Sequence, residues 1–132
     1  MLLNNGCGVK DKLLLIMTQE DKTLLFKDLC CRLPYGVKVV TSVGGEIRND
    51  KEQLNFAQLS LFESGYEDVK PYLFPLSSMT EEQKKEEYEI CKYYLNGYES
   101  KLIDFYHKNH FDYRGLIPMG LANDATGLNI YE

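Results

Sequence analysis

The chain has 132 residues, 44% apolar, 27% charged and 12% aromatic, with 10 glycines, 4 prolines and no tryptophan. That length fits one domain able to bury roughly two-thirds of its unfolded surface, and the apolar share excludes a disordered acidic tail or a low-complexity chain. With 15 basic against 20 acidic side chains the net charge is −5, a field that does not favour phosphate backbones.

The first 16 residues lack a helix cap or a clear period, although Leu13-Leu14-Leu15-Ile16-Met17 could add a strand. This longest apolar run falls short of the roughly 18 residues a membrane span needs. Charges at Lys10, Asp11 and Lys12 precede it and Thr18-Gln19-Glu20-Asp21 follows, so the order of parts is not that of a signal peptide. The expected location is the cytoplasm, with no membrane partner. Cys7, Cys30, Cys31 and Cys91 form no CxxC pair and are expected as reduced, partly buried thiols.

Residues 18–33 predict the first helix, capped by Thr18 with Asp21 three positions on. Leu24, Leu25, Leu29 and Leu33 form its apolar stripe, while Lys22, Lys27, Asp28 and Arg32 fall mostly elsewhere on the wheel. Pro34 ends it. GVKVVTSV, from Gly36 to Val43, reads as a strand, Gly44-Gly45 as a turn, and 46–48 as a short second strand. Residues 51–63 read as a strand bulged near Ala57-Gln58, with a helix burying Leu54, Ala57, Gln58 and Leu61 and stopping at Gly65 as the alternative. Val69–Phe74, flanked by Pro71 and Pro75, suits an edge strand.

Thr80-Glu81-Glu82-Gln83 is a capping box that opens the second helix, which has Tyr88, Cys91 and Leu95 near one face and ends at Asn96-Gly97. A third helix, about 98–109, turns Leu102, Phe105 and Tyr106 inward; the Gly-rich tail 111–132 is ordered by packing on the rest. The expected fold is a single α+β domain, 1–132. It comprises an N-terminal helix, a small antiparallel sheet that is open or barrel-like, two C-terminal helices and an ordered tail. Residues 17–79 hold the first helix and the sheet, and residues 80–132 the helical part and the tail.

His107 and His110 stand three apart at a helix end, with Asp104 and Asp112 near. Two imidazoles at that spacing reach one metal, but no HExxH pattern supplies the rest, and histidines suit a helix C-terminus without any metal. No GxSxG elbow, GxGxxG or GxxxxGK[ST] occurs, and Cys30, Cys31 or Cys91 with a histidine is a pairing any such chain offers. Glu81, Glu82, Glu86, Glu87 and Glu89 interleave with Lys84, Lys85 and Lys92 as an ion-paired surface. The reading is therefore non-enzymatic, with no catalytic residue, cofactor or metal assigned.

Ten tyrosines stand out, among them Tyr88, Tyr93, Tyr94, Tyr98 and Tyr106. Tyrosine closes cores and also makes binding surfaces, and Tyr93, Tyr94 and Tyr98 are the candidates for an interaction surface. It stacks bases too, but residues 80–132 carry ten acidic and six basic side chains, which opposes a nucleic-acid groove there.

Three stretches carry a resemblance. They run from Met17-Thr18-Gln19 through Leu33-Pro34-Tyr35-Gly36-Val37, over Lys70-Pro71-Tyr72-Leu73-Phe74-Pro75 to Gln83, and from Phe111-Asp112-Tyr113-Arg114-Gly115 to Ile130-Tyr131. Over most of residues 17–132, about 41–65 excepted, the chain resembles a family of short uncharacterised proteins from phages, prophages and mobile elements of gut Bacteroides-like bacteria. The resemblance implies no catalytic residues. It implies that residues 1–16 are an upstream extension, because proteins of this kind begin at the residue matching Met17. The expected function is a protein-binding module acting on a host or phage protein; inhibition of a host nuclease or defence complex suits its acidity. The alternatives are a nucleic-acid-binding accessory protein and, third, a metal-dependent enzyme using His107, His110 and Asp112.

Overall fold

The computed structural model describes residues 17–93 and 97–131, and in them the chain is α+β, with four α-helices and a mixed five-stranded sheet. Helix α1 (Gln19–Arg32) starts where the sequence places it: the Thr18 side chain accepts the Asp21 N–H at 3.0 Å. A short 3₁₀ turn, Leu33–Tyr35, absorbs Pro34 in its first turn, and Gly36, at φ 74°, redirects the chain into β1 (Lys38–Val43).

Strand β1 forms an antiparallel hairpin with β2 (Glu46–Gln53), Val43 facing Glu46 across Gly44-Gly45. Both glycines have positive φ, 59° and 86°, as a two-residue hairpin that follows the sheet twist requires. β2 runs five residues beyond its predicted end at Arg48. Its register slips twice, once at Lys51, which itself takes a left-handed φ of 61°. Glu, Arg, Asp and Lys side chains and these bulges leave the outer edge of β2 a poor template for a further strand.

The strand expected over 51–63 ends at Gln53. Phe56–Glu63 is a helix, α2, because Asn55 and Gln58 close a reciprocal capping box that a strand could not use. Its inward side is Gln58, Leu59 and Phe62, with Leu54 buried just before it; Ala57 and Leu61, expected inside, are exposed.

β3 (Asp68–Pro75) is a central strand and not an edge. It pairs antiparallel with β1 and, toward its C-terminal end, runs parallel to β4 (Phe111–Asp112) and to β5 (Asn123–Asp124), both from the tail. Pro71 is tolerated because the pairing of β3 with the tail begins at Tyr72, one residue later. The sheet is therefore mixed, not purely antiparallel. It is open, not barrel-like: β2 pairs only with β1, and the tail strands only with β3.

Helix α3 (Glu81–Tyr93) opens with the predicted box, Thr80 and Gln83 exchanging bonds of 2.9 and 3.1 Å. Its predicted C-cap at Asn96 lies outside the described residues, as do Leu95 and the extension 1–16. Helix α4 (Tyr98–Lys108) buries Phe105 and Tyr106 as expected.

Two apolar clusters hold these parts together. The larger joins Leu25 and Leu29 of α1, Val39 of β1, Leu59 and Phe62 of α2, and Val69 and Leu73 of β3 to Leu116, Leu121 and Ala122 of the tail. The smaller sets Phe105 and Tyr106 of α4 against Phe111 and Met79, with Ile90 of α3 at its margin.

Candidate functional site

The residues singled out for metal chemistry each have another engagement. His107 is buried and shares a 2.7 Å hydrogen bond with the Tyr113 hydroxyl, its ring tilted against Tyr35. Burial and the neighbouring Arg32 push its pKa below the usual histidine value. His110 turns away in a left-handed backbone conformation, φ 61°, and stacks on Tyr131 with ring centres 3.7 Å apart. The two Asp112 carboxylate oxygens accept the Leu116 and Ile117 N–H groups, each at 2.8 Å, and cap the tail turn. Asp104 is held by the Tyr35 hydroxyl. No group of three or more His, Cys, Asp or Glu placed to hold a metal occurs among the described residues. Cys30, Cys31 and Cys91 are free and exposed, not partly buried.

The densest polar constellation lies elsewhere. Asp28 and Arg32, placed off the apolar stripe by the sequence, are fully buried on α1. Leu25, Asp28, Leu29 and Arg32 follow the i, i+3, i+4, i+7 spacing of one helix face, the signal that could have placed them inside. Arg32 Nε donates to Asp28 Oδ2 at 2.7 Å, and Arg114 Nε of the tail donates to Asp28 Oδ1 at 2.9 Å. Arg32 Nη2 donates to the Phe111 carbonyl at 2.7 Å, and the Arg32 and Arg114 guanidinium groups lie 5.4 and 5.0 Å from the centre of the Tyr113 ring. The arrangement ties α1 to β4 and the tail. Both Asp28 oxygens are taken by guanidinium groups, which fits a strut better than a reaction centre.

Of the interaction candidates, Tyr93 ends α3, a helix with no buried residue, and Tyr98 opens α4. Half-buried Gln83, Glu87 and Ile90 face the protein, and Glu87 accepts the Tyr106 hydroxyl at 2.6 Å. Burial and that carboxylate raise the Tyr106 pKa strongly, so it stays a donor. The outward side carries Tyr88 and Tyr93, 64% and 67% exposed, with the Lys92 ammonium 5.9 and 5.4 Å from their rings. Tyr88 and Cys91, grouped on one face by the sequence, are on this outer surface because Ile90, not they, meets the smaller cluster. Tyr94 and the Tyr98 side chain lie outside what is described. No described helix is long and apolar enough to cross a membrane. Comparison with protein-family models, curated proteins and solved structures returns no match to this chain.

Proposed function

We propose that the chain is a non-catalytic protein-binding module, of phage or mobile-element type, that docks through the outer face of α3 on a host or phage protein with a basic surface. The observation that carries this reading is the pair of exposed tyrosines on a helix that buries none of its own side chains. Tyrosine brings large contact area at low conformational cost, and two on one short helix leave apolar ring surface open to solvent. Five glutamates against three lysines on α3, within a chain of charge −5, select a basic counterpart. Such a counterpart includes the nucleic-acid groove of a nuclease or defence complex, which an acidic protein would occupy as an inhibitor. Thirteen residues span about 20 Å, which places the contact at the small, transient end of protein interfaces.

The test is a pull-down from bacterial lysate with the tagged full chain, its Tyr88→Ala/Tyr93→Ala double variant and its Glu82→Lys/Glu86→Lys/Glu89→Lys variant. One stoichiometric protein that both variants lose, and that salt elutes, supports the reading. A partner retained by both variants, or an eluate of nucleic acid without protein, overturns it.

A further inference from the structure

The tail, β3 and the start of α3 enclose a cleft of about 380 Å³, within the range of roughly 300–1,000 Å³ typical of small-molecule sites. Its apolar wall is Phe74, buried Phe111 and Tyr131, with the Phe74 and Tyr131 ring centres 5.8 Å apart and the His110 ring stacked flat on Tyr131. Tyr131 is fixed from behind: its hydroxyl accepts the Lys38 N–H at 2.8 Å and donates to the Tyr72 carbonyl at 2.6 Å. The rim is polar, with Gln83, Lys108, Asn109 and Asn129.

Among the described lining residues of this cleft, Lys108 is the one charged side chain at physiological pH. None of its described lining residues is a carboxylate, in a chain with 20 of them. Lys108 forms no ion pair among the described residues. His110 is neutral at physiological pH, because burial together with Arg32 and Lys38 lowers its pKa to about 4. Its buried Nδ1 has no partner among the described residues.

We propose that this cleft binds a small aromatic carboxylate, its ring against Phe74 and Tyr131 and its carboxylate on Lys108. One lysine balances one negative charge, which favours a carboxylate over a phosphate monoester of charge near −2. The aromatic wall, with its rings tilted 55° and 64° to one another, favours a ring in edge-to-face contact over an aliphatic acid.

The experiment is a ¹⁵N–¹H correlation titration of the full chain with 1-naphthoate, and separately with the cation 1-naphthylmethylamine. Naphthoate should give saturable shifts at 108–111 and 125–131 with a dissociation constant below about 1 mM, and the amine about tenfold weaker ones. Lys108→Met should raise the naphthoate constant about fivefold or more, and Asn129→Asp, which sets a carboxylate on the rim, should do the same. Spectra of both variants unchanged outside the cleft report an intact fold. Absence of saturation by about 5 mM, equal response to amine and acid, or an unchanged constant in both variants overturns the proposal.

Discussion

Replacing Asp28 by alanine strands two cations where one carboxylate served both. Asp28 and Arg32 have no exposed surface, and Asp28 receives bonds of 2.7 and 2.9 Å from Arg32 and Arg114. A charge-assisted bond contributes about 1.5–3 kcal/mol net. The Arg114 share is smaller, since its side chain is 19% exposed and can turn to water. Arg32 has no such exit: Nη2 is committed to the Phe111 carbonyl, and Nη1 is buried with no partner among the described residues. Truncating one side of a buried pair costs about 3–5 kcal/mol, so about 4 kcal/mol is expected here. That is a large part of the roughly 5–15 kcal/mol that holds an ordinary domain together, and at about 4 °C per kcal/mol it lowers the melting temperature by about 15 °C. Urea and thermal unfolding followed by far-ultraviolet circular dichroism measure it. The double variant Asp28→Leu/Arg32→Met removes both charges and should recover at least half of the loss. A loss below about 1 kcal/mol for Asp28→Ala would show that the ion pair contributes little, and a double variant less stable than the single would show that packing, not charge, decides at these positions.

Acidification should destabilise the fold through its histidines. The unfolded chain takes up a proton near pH 6.5 that folded His110 refuses until about pH 4, so stability is complete above 6.5 and falls between those values. His107, also lowered, acts in the same direction. The His110 contribution approaches about 1.4 kcal/mol per pH unit in urea titrations, and His110→Asn, which tolerates the left-handed backbone, should flatten the profile. Asn55→Ala removes a bond of 2.8 Å to the Gln58 N–H and should cost about 1 kcal/mol by the same titration; no measurable change would deny α2 its dependence on the cap. Tyr88→Ala/Tyr93→Ala should leave the unfolding midpoint within about 0.5 kcal/mol of the parent, as exposed side chains do, and a larger loss would place these rings in the fold itself.

What could be read in the sequence is what neighbours in the chain decide. Thr18, Thr80 with Gln83, and Gly44-Gly45 mark their cap, capping box and turn within four residues, and the structure has all of them. The α+β class follows from these local signals. The Asn55–Gln58 box was equally local, and the alternation of Leu54 with Phe56 and of Leu59 with Leu61 masked it. The remainder depends on distant partners. Asp28 and Arg32 look like surface charges until Arg114 and the Phe111 carbonyl, 86 and 79 residues away, are set beside them. β3 looks like an edge strand because its second neighbour is two pairs of residues from the tail, too short to carry a strand pattern of their own. Of the tyrosines named for a surface, Tyr93 is exposed at the end of α3, and Tyr88, which the sequence only grouped with Cys91 and Leu95, is exposed on the same helix while Ile90 meets the smaller cluster.

The parallel strands that the tail lays along β3 give the chain a particular order of assembly. Helix α1, the β1–β2 hairpin and α2 can take shape as they leave the ribosome, but the larger apolar cluster lacks Leu116, Leu121 and Ala122 until residues 111–125 have emerged. Until then Asp28 and Arg32 have no lid, and the C-terminal end of β3 is an unpaired edge open to other strands. A ribosome that stalls or shifts frame before residue 111 therefore releases a product with a half-built core, the kind of surface that chaperones and proteases recognise. Residues 111–131 thus complete the core and determine whether the finished protein persists in the cell.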